Sequence, residues 1–116
     1  MPCFKVLTNL PKSKIPSDFV SKIVPLLSKV LRKPQENFIC IISGDCHLSF
    51  GGVTTAYGAV ATIESIGHLG FEDNKIIAKE VTDFVERELN IKPSNFFLSF
   101  YDLQGYNVAR NGVTIV

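Results

Sequence analysis

The sequence lacks several features that would place it in other classes of protein. Its three cysteines, Cys3, Cys40 and Cys46, are an odd number without paired spacing, which argues against a disulfide framework and favours reduced thiols in a cytosolic setting. No apolar run is long enough to span a membrane. The amino terminus has no basic region followed by an apolar run, so no signal peptide is expected. Twelve basic residues balance eleven acidic ones without forming a basic stripe, which argues against nucleic-acid binding.

The sequence is rich in apolar residues for its length. Its 116 residues suit one domain, and 46% of them are hydrophobic, including nine phenylalanines. The mean hydropathy of +0.21 is high for so small a soluble chain. Because a small domain buries a limited share of its surface, the surplus favours burial against another subunit.

Two segments have an apolar face at helical spacing. The first follows Ser17 or Asp18, either of which can cap it, and it ends at Lys33-Pro34. Pro25 lies inside this helix and has no N–H, so we expect it to bend or loosen the helix locally. The second helix is predicted over residues 74–89, after a loop over 67–73.

Four strands are predicted, over residues 3–7, 38–42, 59–66 and 96–101. The strand over 38–42 is a continuous apolar run, which predicts burial on both of its faces. Asn111-Gly112 near the carboxyl end is a signal for a tight hairpin.

The two halves of the chain, residues 1–58 and 59–116, follow the same plan. A shift of 58 residues brings Ile23 onto Val81 and Phe38 onto Phe96. We therefore predict one α+β domain over residues 1–116, built from two tandem β-α-β units. These units form a four-stranded mixed sheet with both helices on one face. The inner strands are expected to be apolar on both sides, so the bare face would be covered by self-association around a rotation axis.

Several short motifs resemble a known family when they are taken together. They are Pro2, Thr8-Asn9-Leu10-Pro11, Lys33-Pro34, Phe50-Gly51-Gly52, Ser65-Ile66-Gly67, Tyr101-Asp102 and Asn111-Gly112-Val113-Thr114. In this order and at these separations the chain resembles the macrophage migration inhibitory factor and D-dopachrome tautomerase family over essentially its whole length. The resemblance implies a homotrimer of tandem β-α-β subunits whose sheets surround a central channel, with tautomerase pockets at the subunit interfaces.

The resemblance implies that Pro2 is the catalytic base, once Met1 is removed. A terminal amine has a pKa near 7.7–8.0. An apolar pocket and a neighbouring cation would lower that pKa towards the working pH. The alternative interpretation is that proline at position two merely permits removal of Met1. A retained Met1 would turn the Pro2 amine into an amide and abolish this base.

Lys33 is the second catalytic candidate. The resemblance implies that it faces Pro2, holds a substrate carboxylate or carbonyl oxygen, and lowers the pKa of the amine. Its alternative role is to complement the dipole of the first helix.

The remaining substrate-binding candidates also come from the resemblance. They are Ser65 and Ile66 after the third strand, Asn37 at the pocket rim, Phe97, Ser99 and Val108 from a neighbouring subunit, and Arg110. Phe97 and Ser99 stand where the family often has tyrosine and asparagine, which puts the substrate preference in doubt. Arg110 replaces a frequent aromatic residue, and it is either a second cation for a substrate carboxylate or a solvated hairpin residue.

The sequence gives less support to thiol–disulfide chemistry and to a metal site. The stretch that matches the family's Cys-x-x-Cys pair reads Ala56-Tyr57-Gly58-Ala59-Val60, without cysteine. Cys40, Cys46 and His47 lack an evident fourth ligand, so no metal site is expected. His68 is interpreted as a loop residue, and no cofactor is expected.

The leading hypothesis is a cofactor-free keto–enol tautomerase acting on phenylpyruvate- or dopachrome-type substrates. The rival is a cytokine-like ligand of a cell-surface receptor, of the invariant-chain type, with a weak or vestigial pocket. A weaker third possibility is a non-catalytic intracellular trimer that scaffolds a partner. The resemblance further implies a protein of the cytosol that leaves the cell without a signal peptide.

Overall fold

The computed structural model describes all residues from 1 to 116. Its main sheet has four strands: β1 (Cys3–Thr8), β2 (Ile39–Ser43), β3 (Ala59–Ser65) and β4 (Phe96–Asp102). The helices are α1 (Phe19–Leu31) and α2 (Phe71–Leu89), and a terminal hairpin consists of β5 (Ala109–Arg110) and β6 (Val113–Thr114).

The sheet order is β2-β1-β3-β4, so β1 and β3 are the inner strands. β1 is parallel to β2 and antiparallel to β3, and β3 is parallel to β4. Each parallel pair is joined through one helix, which gives two β-α-β units around a central antiparallel pair. The predicted mixed sheet is therefore confirmed.

Both helices cover the same face of the sheet. Alternate residues of the inner strands, such as Phe4 and Ile63, join one buried cluster with Ile23 of α1 and Val81 of α2. Burial of side chains of this size contributes roughly 1.5–3 kcal/mol each. The predicted apolar stripes of both helices are the stripes that the core buries.

Several predicted boundaries were wrong by a few residues. α1 is continuous through Pro25, so the proline does not break the helix, and Asp18 precedes the helix without a side-chain capping bond. α2 begins at Phe71, three residues before the predicted Asn74. The Asn74 side chain accepts a bond of 3.1 Å from the Gly70 N–H, so Asn74 caps the helix from inside its first turn.

The prediction about the bare face of the sheet needs correction. β2 is an edge strand, and its residues Ile39 and Ile41 are 46% and 49% exposed, so it is not buried on both faces of the chain. The inner strands are not apolar on both sides, because Lys5 of β1 and Glu64 of β3 form an ion pair of 3.4 Å there. The bare face thus has apolar edges and a charged centre.

The second half repeats the first in detail at the ends of its helices. A 3₁₀ turn at Gln35–Asn37 recurs 58 residues later at Pro93–Asn95. α1 and α2 both end at a residue in the left-handed conformation, Arg32 with φ 57° and Asn90 with φ 56°.

Candidate active site

The amino terminus is held at the edge of the sheet. The carbonyl oxygen of Pro2 accepts a bond of 3.0 Å from the Ile39 N–H. Pro2 is buried, whereas Met1 before it is half-buried. The terminal amine of this chain is that of Met1, and its pKa is lowered from 8.0, first by burial and then by the positive charges of Lys33 and Arg110.

A small cavity of about 210 Å³ opens beside this terminus. Its lining is mostly apolar: Met1, Cys3, Ile39, Glu64, Leu103, Val108, Ala109 and Arg110. Glu64 is engaged by Lys5, whereas Arg110 has no carboxylate partner and makes one contact of 3.4 Å with the Met1 sulfur. A small, partly apolar cavity with a charged rim suits an organic anion.

Lys33 reaches the site from the end of α1. The left-handed turn at Arg32 redirects the chain, and both the Arg32 and Lys33 N–H groups bond the carbonyl oxygen of Ser28. The Ser28 hydroxyl in turn donates a bond to the Lys33 carbonyl oxygen. The Lys33 ammonium donates a bond of 2.7 Å to the carbonyl oxygen of Ile66.

The pKa of Lys33 is lowered from 10.5 by burial, while the negative charge of Asp102 acts in the opposite direction. The position that matches Lys33 in the second half is Ile91, which is 1% exposed. The first half therefore places a half-buried cation where the second half has a core side chain.

The loop after β3 receives this ammonium, and it is fixed by three hydrogen bonds. The buried Ser65 hydroxyl donates to the Gly67 carbonyl oxygen at 2.9 Å, and the Ser65 carbonyl oxygen accepts from the Leu103 N–H at 2.8 Å. The Gly67 N–H donates to the Asp102 carboxylate at 2.9 Å. Gly67 has φ +71°, a conformation that glycine adopts readily.

The structure brings together most of the predicted site residues. Pro2 directly precedes β1 and Lys33 bonds Ile66, next to the cavity that Val108 and Arg110 line. Val108, which was predicted to come from a neighbouring subunit, lines the cavity of its own chain. The hairpin end carries it there: the Ile115 N–H bonds the Val108 carbonyl oxygen at 2.9 Å.

Four predicted residues lie elsewhere or face away. Phe97 and Ser99 pair with Val60 and Thr62 on the bare face, towards the opposite end of β3 from Pro2. Asn37 lies in the 3₁₀ turn before β2 and does not line the cavity. Ser65 is 0% exposed, and its hydroxyl is used inside its own loop.

Sequence reasoning missed several residues around the site. Leu103 and Ala109 line the cavity, Asp102 holds the loop at Gly67, and His68 bonds the end of α1. The antiparallel pairing of Cys3 with Glu64 places the end of β3 beside the amino terminus, but only the register of the sheet reveals it. No local sequence signal marks His68.

The remaining candidates for chemistry are not organised as sites. No three His, Cys, Asp or Glu side chains lie close enough to hold a metal ion. Burial raises the pKa of the Cys40 thiol to about 11, which keeps it protonated at neutral pH. The largest cavity, about 490 Å³ between the start of α1 and the end of β2, contains no predicted site residue. Neither helix meets the length and apolarity that crossing a membrane would require.

Comparison with known proteins confirms the family resemblance. The family model described as "Macrophage migration inhibitory factor (MIF)" matches residues 1–116. The macrophage migration inhibitory factor of Xenopus tropicalis is 35% identical over 114 residues, covering 98% of each chain. The MIF-like protein mif-2 of Caenorhabditis elegans is 33% identical and covers 99% of this chain and 95% of its own.

Solved structures agree with the sequence comparison. The macrophage migration inhibitory factor of Trichinella spiralis superposes with a TM-score of 0.93 at 32% identity. That superposition covers 97% of this chain and 98% of the other. The arrangement of two helices on a four-stranded mixed sheet is therefore a shared fold.

Proposed function

This chain belongs to the macrophage migration inhibitory factor family, and we propose that it is a cofactor-free keto–enol tautomerase whose base is the amine of Pro2. The substrates we propose are aromatic keto acids of the phenylpyruvate type or dopachrome-like compounds. Membership of the family places the chain in the tautomerase and cytokine superfamily. The observation that supports the finer assignment is the environment of the Met1 amine, one residue before Pro2, whose pKa is lowered by burial and by two cations.

The base requires that Met1 be removed. Its removal moves the amine one residue along the chain, about 3.8 Å, from half-buried Met1 to buried Pro2. Deeper burial disfavours the protonated amine further, so the Pro2 amine is neutral at a lower pH than an ordinary terminal amine. The proline ring and the bond from Ile39 to the Pro2 carbonyl oxygen fix where the nitrogen points.

The reaction transfers one proton between carbon and oxygen. The neutral Pro2 amine takes a proton from the carbon next to the substrate carbonyl, and the electron pair moves to the carbonyl oxygen. The Lys33 ammonium has three donors, of which one bonds Ile66, so the others can bind the developing oxyanion or the carboxylate. The protonated Pro2 amine then gives this proton to the oxygen, which completes the enol and returns the amine to its neutral form.

Arg110 and Val108 bind the substrate from the hairpin side of the cavity in this proposal. The unpaired Arg110 guanidinium presents a fork of donors that fits a carboxylate. Val108 and Leu103 supply apolar contact for an aromatic ring. Ser65 acts through the loop that it fixes, and the Ile66 backbone orients the Lys33 ammonium.

A homotrimer would complete the site. On the bare face the edge strands expose apolar side chains, Ile39 and Ile41 on β2 and Phe97 and Tyr101 on β4, whereas the inner strands carry the Lys5–Glu64 pair beside the exposed Leu7. A ring in which the edge of one subunit meets the opposite edge of the next buries the apolar edges and leaves the charged centre around a hydrated axis. Phe97 and Ser99 of one subunit would then approach the amine of its neighbour, with Asn37 near the rim.

The second candidate function is a cytokine-like ligand of a cell-surface receptor. It is favoured by the relatives named as macrophage migration inhibitory factors. In this account the protein is present in the cytosol and outside the cell, exported without a signal peptide, and the pocket is weak or vestigial.

The tautomerase assignment is tested by the conversion of phenylpyruvate by protein whose mass shows that Met1 is absent. Pro2→Gly should abolish most of the activity, whereas Pro16→Gly, which lies outside the site beside α1, should keep it. Absence of activity in protein that begins at Pro2 would overturn the assignment. Receptor binding by the same inactive protein would then favour the ligand function.

A further inference from the structure

We propose that His68 is a positioning residue for Lys33, because it ties the end of α1 to the loop that receives the Lys33 ammonium. The inference rests on the tautomerase function proposed above, in which Lys33 binds the substrate. It adds a residue to that site which acts on the reaction only through Lys33.

The geometry consists of two hydrogen bonds that connect the same two segments. His68 Nδ1 lies 2.7 Å from the carbonyl oxygen of Leu31. Since a carbonyl oxygen only accepts, Nδ1 carries the proton and donates it. Two residues further along, Lys33 donates from its ammonium to Ile66 at 2.7 Å, in the opposite direction. Residues 31–33 and 66–68 are therefore held together at two points.

The second point matters because the Lys33 side chain is long. It has four rotatable bonds, so a single bond from the ammonium to Ile66 leaves the backbone free to shift. The Leu31 carbonyl is one of the last groups of α1 and has no partner in the next turn. His68 supplies that partner and fixes the distance between the helix end and the loop.

The backbone of the loop indicates that the contact is specific. His68 has φ +62°, in the left-handed region that histidine adopts only occasionally. It follows Gly67, with φ +71°, so two successive residues turn the loop back towards α1. The neighbouring ion pair between Arg32 and Asp73, 3.1 Å, joins exposed side chains and adds little.

His68 is itself exposed, so it can be replaced without opening the core. His68→Ala removes the donor. His68→Asn keeps an N–H donor at nearly the place of Nδ1, and asparagine tolerates the left-handed conformation. The control is His47→Asn, the same substitution at an exposed histidine that contacts neither Lys33 nor its loop.

The expected result is a change in substrate binding and in the pKa of the Pro2 amine, not in the amount of folded protein. A hydrogen bond of this kind is worth up to about tenfold in an equilibrium constant. His68→Ala should therefore raise KM for phenylpyruvate by about threefold to tenfold and move the acid limb of kcat/KM to higher pH. His68→Asn should restore both quantities, and His47→Asn should change neither. If His68 only stabilised the fold, His68→Ala would lower the fraction of active protein and leave KM and the acid limb of kcat/KM unchanged.

A second readout needs no turnover. The pKa of the Pro2 amine can be followed by NMR with ¹⁵N-labelled proline in native protein and in both His68 variants. The cations that lower the pKa of the Met1 amine, one residue before Pro2, are Lys33 and Arg110, and Glu64 with its partner Lys5 lies across the cavity. Since only Lys33 moves in His68→Ala, the pKa should rise in that variant and return in His68→Asn.

These outcomes separate the inference from the function on which it rests. Equal KM and equal amine pKa in native protein and His68→Ala would overturn the role of His68, even if the native protein is fully active. Failure of His68→Asn to restore the native values would also overturn it. An inactive native protein with the predicted pattern of amine pKa values would instead overturn the tautomerase assignment and leave the positioning of Lys33 in place.

Discussion

Replacing Lys33 by isoleucine should separate stability from activity. The second half of the chain already has isoleucine at the matching position, where Ile91 is 1% exposed. Burial lowers the pKa of Lys33, which means that placing the charged ammonium here costs free energy. Lys33→Ile removes this cost.

The free energy that Lys33→Ile loses with its hydrogen bond is similar to the free energy that it gains from apolar burial. Lys33→Ile loses one bond to the Ile66 carbonyl oxygen, 2.7 Å, but Ile66 is only partly buried, so water can take the place of the lost donor. Isoleucine gains apolar burial at a half-buried site, so the free energy of unfolding should change by no more than about 1 kcal/mol. Loss of the donor that stabilises the oxyanion should lower kcat/KM by about 100-fold to 1,000-fold.

The assay pairs urea unfolding with phenylpyruvate turnover on the same preparation. The mirror variant Ile91→Lys is the control, since it places a charge in the core and should destabilise by more than about 3 kcal/mol. Loss of more than about 3 kcal/mol in Lys33→Ile would refute the repeat argument. Retention of kcat/KM within about threefold would refute the role of Lys33 in catalysis.

Three further predictions concern the core, the thiols and the assembly. The Thr8 hydroxyl bonds the Gly58 carbonyl oxygen at 2.6 Å and the Leu10 N–H at 3.1 Å. Because Thr8→Val leaves both groups without this partner, it should lower the free energy of unfolding in urea by about 2–4 kcal/mol. Cys40, with a pKa of about 11, should be alkylated by iodoacetamide at pH 8 several hundred times more slowly than free cysteine, roughly a quarter of which is thiolate. Ile41→Asp, at a side chain 49% exposed, should leave the chain folded but dissociate the oligomer in light scattering.

For each of these predictions, a comparison measurement defines the result that would contradict it. Thr82→Val, on α2, should cost less than about 1 kcal/mol, and equal losses at both threonines would remove the argument from buried hydrogen bonds. Cys40 alkylation within about tenfold of free cysteine would contradict its burial. Ile76→Asp, at an exposed side chain of α2, should keep the oligomer, so dissociation by both aspartates would reject the sheet face as the interface.

The sequence predicted the elements whose signal is periodic. The apolar stripes of α1 and α2 and the strands beside them follow from local spacing, and the structure buries the residues that the spacing indicated. The beginning of α2 was wrong by three residues because Asn74 was taken as the first residue of the helix, whereas its side chain caps the helix from within the first turn. A capping residue can lie on either side of the boundary that it stabilises.

Features that depend on strand order could not be predicted from local pattern. A continuous apolar run such as that of β2 is typical of an inner strand, but β2 lies at an edge, and its apolar face is bare in the single chain. The Lys5–Glu64 pair interrupts the inner strands at a place that only the register reveals.

In the site, as in the fold, short motifs identified residues, whereas contacts between distant segments of the chain were not predicted. Pro2 and Lys33 were found from the resemblance, and the structure gives each a defined neighbour. Val108 lines the cavity of its own chain, although it was expected from a neighbouring subunit, and His68 was given no role, because both contacts join segments far apart in the chain. Such contacts leave no spacing for a sequence pattern to detect.

The central claim is that an unprotonated amine on Pro2 moves the proton, and its most direct test is the pH dependence of kcat/KM in two forms of the chain. One form begins at Pro2 and the other retains Met1, each verified by mass. Activity is expected only in the first, and it should rise with pH as the Pro2 amine loses its proton, since base catalysis requires the neutral amine. Equal activity in the form that retains Met1 would contradict it.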